Sequence, residues 1–316
     1  MNPIASLVLI RMNGGTAMMR ILGIVGVQIC ICVPIIVFQF CKGKEFFSKE
    51  YWGYALRIGI PIVPHYLSGI ILNQGDRIMI DKMVGKTEVA LYGLAYSIGM
   101  LVQLFISGMN SALTPWMYSK IKKGDIRSMR KVLQLLSVVV VGIAVALMLI
   151  SPELVLIFGS PKYREAVYVI PPVAASVFFI FIYNILSMPQ FYYEKTQFLM
   201  AASMAAAGAN VVLNFIFIRL FGYIAAGYTT LACYMLYSVG HYIVSKRILV
   251  NEGIQENLMS PGFLVACSAF LIGASIICNL IFPYRILRYA ILLASAGLVF
   301  WKKELLLKTM ADIRKK

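Results

Sequence analysis

The feature that most constrains the fold is a series of long apolar stretches, almost all of them free of Asp, Glu, Lys and Arg. A helix needs about 20 consecutive apolar residues to cross a bilayer. The sequence predicts nine such spans, of which the last is shorter and contains Arg288. The spans are 21–40, 58–75, 89–119, 132–152, 166–193, 196–218, 220–245, 257–284 and 286–301. The expected fold class is an all-α polytopic membrane protein with about nine transmembrane helices.

Composition excludes the main alternatives. The chain is 60% hydrophobic and 13% charged, whereas soluble domains average about 45–50% apolar and about 25% charged residues. A water-soluble enzyme or a disordered chain is therefore excluded. A transmembrane β-barrel is also excluded, because its sequence would show alternating segments of about ten residues.

The basic residues predict the orientation in the membrane. If nine helices cross, 19 of the 29 Lys and Arg fall on one side and 10 on the other. The richer side is expected to be cytoplasmic, and it includes the C-terminus. The formal charge of +16 is thus interpreted mainly as a topology signal, with the cluster Lys120–Lys131 able to contact anionic membrane lipids. Nucleic-acid binding is not expected, because no basic face interleaved with aromatic residues is present.

Two polar breaks, at residues 41–52 and 246–260, leave a block of six predicted helices between them. No loop is long enough to hold a soluble domain.

The apolar stretch Met1–Ile10 is too short to cross a bilayer, and it lacks the features of a signal peptide. We interpret it as the end of an earlier helix, and we therefore expect further helices upstream.

Candidate site residues concentrate on the second span, where ionisable and polar side chains are costly and often functional. The candidates for lining a substrate cavity are Arg57, His65, Asn73, Asp76 and Arg77. Arg57 and His65 share one helical face with Pro61, and such a cationic face would suit an anionic substrate such as a pyrophosphate. The alternatives are that Arg57 only extends to the membrane surface and that His65 is a packing residue.

Asp76 has two interpretations: it pairs with an Arg or Lys of another helix, or it takes part in gating. Other polar residues within the spans, among them Gln190, Asn210, Asn214 and His241, are expected to hold helices together.

Four prolines are structural or hinge candidates. Pro61 and Pro64 remove backbone donors from the second span. Pro171 and Pro172 are expected to kink the fifth span, either as a hinge or as a static bend.

The sequence predicts neither a catalytic site nor a metal or cofactor site. The two histidines are 176 residues apart, and no Gly-rich phosphate loop or paired catalytic carboxylates stand out. A membrane-embedded glycosyltransferase or polymerase is disfavoured for the same reason.

Several short motifs, in order, resemble one family of transporters. They are Pro61-Ile62-Val63-Pro64-His65, residues 73–80, Pro115-Trp116-Met117-Tyr118, Ser151-Pro152-Glu153, residues 191–196, Asn210 with Asn214, and residues 222–226. Together they resemble the bacterial polysaccharide and O-antigen flippases of the multidrug/oligosaccharidyl-lipid/polysaccharide exporter superfamily. The resemblance runs from near residue 1 to about residue 250 and corresponds to the C-terminal two-thirds of that family.

The resemblance implies a fold of two six-helix lobes around a central cavity, often with two further C-terminal helices. On this scheme residues 1–41 end the first lobe, with a partial and a full helix, and residues 42–53 form a cytoplasmic linker. Residues 54–245 form the second six-helix lobe, and residues 246–316 form the C-terminal helix pair and a basic tail.

The resemblance also implies a function. Family members move undecaprenyl-pyrophosphate-linked oligosaccharide across the bacterial cytoplasmic membrane, so the expected partners are this lipid-linked oligosaccharide, membrane lipids and other polysaccharide-assembly proteins. Arg57 and Arg77 are the positions to which a cavity role is carried over. Two alternatives stay open: a cation-coupled multidrug exporter of the same superfamily, and a truncated, non-functional fragment.

Overall fold

The computed structural model describes residues 7–11, 17–44 and 47–301. These residues are almost entirely helical, and none of them lies in a strand. The expected all-α fold class is therefore confirmed. The predicted basic tail, residues 302–316, and most of the stretch Met1–Ile10 lie outside the described residues. The helices are α1 (Ala17–Gly43), α2 (Lys49–Met83), α3 (Lys86–Gly99), α4 (Leu101–Lys122), α5 (Ile126–Phe158), a 3₁₀ helix (Pro161–Val169), α6 (Ile170–Tyr192), α7 (Thr196–Phe221), α8 (Ala225–Asn251), α9 (Pro261–Ile281) and α10 (Arg285–Trp301).

Seven helical segments of the described chain are long and apolar enough to cross a membrane. They cover α1 to α7 and α9, with α3 and α4 forming one segment and the 3₁₀ helix joined to α6. The predicted spans 220–245 and 286–301 fall on α8 and on the 17-residue α10. These two helices are not among the seven, and their crossing stays a prediction.

The chain divides into two compact units, Met1–Arg57 and Ile58–Lys316. The first contains α1, whose large apolar side chains, such as Ile29 and Phe38, are mostly exposed. The second begins within α2 and contains α3 to α10. The predicted domain boundaries at residues 41, 53 and 245 stay predictions.

Helix α6 is the centre of the second unit. Eighteen of its 23 residues are buried, and it packs against α8, α5, α4 and α9. Its sequence is apolar on every side, which is the pattern of a helix surrounded by others. Of the helices that carry polar residues of interest, α3, α7 and α8 pack against this apolar helix.

The kink at Pro171 and Pro172 stays a prediction, but the structure shows a change of helix type next to both residues. Both prolines lie in the first turn of α6, directly after the 3₁₀ helix, and not inside a continuous helix. Proline is well tolerated there because the first N–H groups of a helix have no partner within it. Pro61 and Pro64 do lie inside α2, but the helix continues through both of them. A hinge role for either pair stays a prediction.

The long predicted span 89–119 is divided at Met100, where α3 ends and α4 begins. A Cβ atom at Gly99 would lie only 2.7 Å from Cγ1 of Val173. The division therefore coincides with a close approach of the chain to α6.

Arg288, which interrupts the ninth predicted span, is buried against α5. Its Nη1 and Nη2 atoms each donate to a carboxylate oxygen of Glu153 at 2.8 Å. Nη1 also donates to the carbonyl oxygen of Leu149 at 2.6 Å. This bidentate ion pair compensates the charge of Arg288 in an apolar helix and connects α10 to α5.

Candidate functional site

The candidate site is a buried carboxylate where four helices meet. Asp76 of α2 is fully buried. Its Oδ2 accepts hydrogen bonds from Tyr92 Oη of α3 at 2.5 Å and from Thr230 Oγ1 of α8 at 2.7 Å. Its Oδ1 accepts from Asn214 Nδ2 of α7 at 2.5 Å. We call this group, with Asn210 and Thr229, the carboxylate cluster.

The outer members of the carboxylate cluster hold its inner donors in place. Asn214 Nδ2 also lies 3.2 Å from Asn210 Oδ1, and Thr229 Oγ1 donates to Asn214 Oδ1. Asn210 Nδ2 donates to Thr230 Oγ1 at 3.5 Å. Asn210, Asn214 and Thr230 are fully buried, so the cluster is a closed polar network inside an apolar bundle.

The expectation that Asp76 pairs with a basic residue is wrong. The two ion pairs within the described chain are Lys120 with Asp125 and Arg288 with Glu153. The neighbouring Arg77 points elsewhere: its Nη1 donates to Gln74 Oε1 at 2.9 Å, and its Cζ lies 5.2 Å from the centroid of the Tyr96 ring. The hydrogen-bond partners of the Asp76 side chain in the described chain are thus neutral groups.

A second polar contact lies one turn away on α2. Asn73 Oδ1 accepts from Tyr96 Oη at 2.7 Å and from Tyr234 Oη at 3.3 Å. Asn73 therefore connects α2 to α3 and α8 beside the carboxylate cluster.

The third contact is centred on His65, and we call it the histidine cluster: His65, Ser203 and Tyr237. His65 Nδ1 lies 2.5 Å from Ser203 Oγ and 3.1 Å from Tyr237 Oη. Next to it, Gln190 Nε2 lies 2.8 Å from His241 Nδ1. The partners of His65 are side chains of neighbouring helices. This arrangement favours the interpretation of His65 as a packing residue.

These contacts form one polar column along α8. Its members Thr230, Tyr234, Tyr237 and His241 follow the spacing i, i+4, i+7 and i+11, which places them on one face. At a rise of about 1.5 Å per residue the column extends about 16 Å, about half the thickness of a bilayer core.

The structure brings four of the five candidates into or beside this column: His65, Asn73, Asp76 and Arg77. Arg57 is exposed and belongs to the first compact unit. Tyr92, Tyr96 and Thr230 were missed, because tyrosine and threonine are common in helices without being functional. The spacing of polar residues on α8 could have indicated Thr230, whereas Tyr92 and Tyr96 lie four residues apart on α3.

Comparison with known proteins shows a partial similarity to one family. Residues 4–122 match the model of the polysaccharide biosynthesis protein family. This match confirms the predicted resemblance to a family of polysaccharide biosynthesis proteins over part of the chain. The matched segment contains α2 and α3, which carry Asp76 and Tyr92.

Two curated relatives come from Haemophilus influenzae. The chain is 28% identical over 172 residues to Lsg locus putative protein 1. This alignment covers 51% of this chain and 41% of the relative. The chain is also 29% identical over 167 residues to an uncharacterized membrane protein. That alignment covers 49% of this chain and 40% of the relative. The chain thus matches about two fifths of the length of each relative. No solved structure matches the chain.

Proposed function

We propose that the chain forms one lobe of a transporter that moves undecaprenyl-pyrophosphate-linked oligosaccharide across the bacterial cytoplasmic membrane, by alternating access, for polysaccharide biosynthesis. The observation that carries this proposal is a fully buried carboxylate without a cationic partner in a chain similar to polysaccharide biosynthesis proteins. Burying a lone carboxylate costs several kcal/mol. Such a cost is typical of residues that bind or move charge across a membrane.

Asp76 is the coupling residue in this proposal. The carboxylate cluster offers one negative charge and several hard oxygen atoms, which suit a proton or a monovalent cation with oxygen ligands. Binding of a proton or cation would weaken the hydrogen bonds that the carboxylate accepts from its neutral donors. Because those donors come from α3, α7 and α8, a change of charge would alter the packing of four helices together and so shift the balance between two conformations.

The anionic pyrophosphate headgroup is assigned to arginine. Arg77 is partly exposed, and its Nε is buried with no hydrogen-bond partner among the described residues. The exposed Arg57 is the second candidate. Arginine recognises phosphate groups through its planar set of donors.

A transport assay tests the proposal with a matched pair of substitutions on α2. The full chain is reconstituted in vesicles with a fluorescent polyprenyl-pyrophosphate oligosaccharide, and its passage to the other leaflet is measured under a proton or sodium gradient. We expect Asp76→Asn to slow the passage at least tenfold. Asp81→Asn changes an exposed carboxylate of the same helix and should leave the rate unchanged.

Three results would overturn the proposal. A wild-type chain that moves no lipid-linked oligosaccharide, even when a second copy or another protein supplies the other lobe, would favour the non-functional fragment. Movement of cationic drugs in its place would favour the multidrug exporter, which also needs a buried carboxylate. Equal rates in the two variants would remove Asp76 from the mechanism.

A further inference from the structure

A largely apolar groove lies between α6, α8 and α9, away from the carboxylate cluster. Its volume is about 430 Å³. Most of its lining side chains are aliphatic or aromatic, including Phe178, Ile182, Leu264 and Ile272. Val239 and Val265 at its rim are 55% and 68% exposed. The groove therefore opens on the outer surface of the bundle.

The groove keeps one polar atom without a partner. Of the three lining residues with a hydroxyl group, Ser238 donates to the carbonyl oxygen of Phe179 at 3.0 Å, and Ser268 donates to that of Leu264 at 2.7 Å. The third is Tyr242, whose Oη is buried and has no hydrogen-bond partner in the described chain. The groove is thus apolar along its length with a single free hydroxyl group.

Further polar groups lie near the chain segment that leads into α9, at the same end as Tyr242. Ser245 Oγ, three residues along α8, and Asn257 Oδ1 are also buried without partners among the described residues. Arg130 Nε donates to the carbonyl oxygen of Asn257 at 2.7 Å, four residues before α9 begins. A positive charge and the unpartnered hydroxyl groups of Tyr242 and Ser245 therefore lie near this end of the groove, whereas the free Asn257 atom is an acceptor oxygen.

The length of the groove fits one leaflet of a bilayer. It follows α9 from Pro261 to Ile272, about 16 Å at the helical rise. Half of a hydrocarbon core is about 15 Å. In the orientation proposed from the basic residues, its polar end lies at the cytoplasmic surface and its apolar end near the bilayer midplane.

We propose that this groove binds one acyl chain of an anionic phospholipid from the cytoplasmic leaflet, with the phosphate group near Tyr242 and Arg130. An acyl chain matches the depth and apolar lining of the groove, whereas the much longer polyprenyl chain of the proposed substrate would extend far beyond it. The phosphate oxygens accept hydrogen bonds from the free hydroxyl group, and the positive charge favours an anionic headgroup. The bound lipid fills the space between α8 and α9, joining the C-terminal helix pair to the lobe.

Native mass spectrometry of the purified full chain tests the inference, using added phosphatidylglycerol and phosphatidylethanolamine as probes. We expect one phosphatidylglycerol to be retained by the wild type. Ala269→Trp places an indole in the groove and should reduce that retention at least fivefold, and Val265→Trp at the rim serves as a second variant. Ala266→Trp introduces the same side chain on an exposed position of α9 outside the groove and should retain the lipid.

A second pair of variants tests the headgroup position. Tyr242→Phe removes only the hydroxyl group, so the chain should still bind a lipid but lose its preference for phosphatidylglycerol over phosphatidylethanolamine. Tyr284→Phe changes an exposed tyrosine and should keep the preference. The inference is overturned if Ala269→Trp and Val265→Trp retain the lipid like Ala266→Trp, if the retained molecule is a polyprenyl phosphate, or if Tyr242→Phe keeps the preference. None of these results depends on transport activity.

Discussion

At the scale of single residues, burial of the Asp76 side chain has a free-energy cost that its neighbours must offset. Its carboxylate is fully buried, and three neutral side chains supply the hydrogen bonds that water would otherwise provide. Hydrogen bonds to a charged group contribute about 1.5–3 kcal/mol each, so the donors together offset much of the cost of burial. The stability of the bundle therefore depends on each of these donors.

Thr230→Val tests this dependence. Valine has nearly the shape of threonine but cannot donate to Asp76, so we expect the free energy of unfolding to fall by about 1–3 kcal/mol. The measurement is chemical or thermal unfolding in detergent. Thr114→Val is the control, because the Thr114 hydroxyl group donates to the carbonyl oxygen of Asn110 in its own helix at 2.7 Å, a bond that contributes little to stability. Its contact with another helix is the weak acceptor Met188 Sδ at 3.7 Å. Equal effects of the two changes would contradict the role assigned to Thr230.

At the scale of the helices, close approach to α6 decides how its neighbours are shaped. The end of α3 at Gly99 packs on Val173, where a methyl group would lie only 2.7 Å from Cγ1. Small residues permit such approaches between membrane helices. The division between α3 and α4 coincides with this close contact and is not visible in hydropathy.

Gly99→Ala should destabilise this junction. The added methyl group overlaps Val173, and overpacking of this kind costs about 1–3 kcal/mol. Gly108→Ala in α4 is the matched control, because no atom lies within 4 Å of its added methyl group and alanine favours the helix by up to about 1 kcal/mol. The thermal unfolding midpoints in one detergent should fall for the first variant and stay equal or rise for the second. A stable Gly99→Ala protein would show that the junction is loosely packed.

At the scale of the whole molecule, the uneven distribution of basic residues predicts the orientation. The stretch from the end of α4 to the start of α5, residues 120–131, contains six Lys and Arg, whereas the 3₁₀ helix before α6 contains only Lys162 and Arg164. The positive-inside rule places the richer segment in the cytoplasm. The proposed positions of the lipid phosphate and of the C-terminus both depend on this orientation.

Cysteine labelling in intact cells checks the orientation. In a variant whose native cysteines are replaced by serine, we expect Lys162→Cys to react with a membrane-impermeant maleimide. Lys123→Cys should react only after the cells are permeabilised. Both positions are exposed, so accessibility within the protein does not limit either reaction. The reverse pattern would invert the proposed topology.

The sequence was sufficient to predict an all-α membrane fold and the helix that carries Asp76. Long stretches without charges can cross a bilayer only as helices, because every backbone polar group must find its partner within the segment. The same cost of polar groups in lipid singled out His65, Asn73, Asp76 and Arg77. These conclusions need no knowledge of how the helices pack.

Only the tertiary structure decided which polar residues meet. Asp76 and Asn214 are 138 residues apart, and Thr230 lies still further along the chain. Their contact depends on how each helix is rotated about its axis, and that rotation is set by the packing of the whole bundle. Hydropathy measures how apolar a helix is but not which neighbour each face contacts, so the neutral surroundings of Asp76 and the groove beside α9 became visible only in the folded chain.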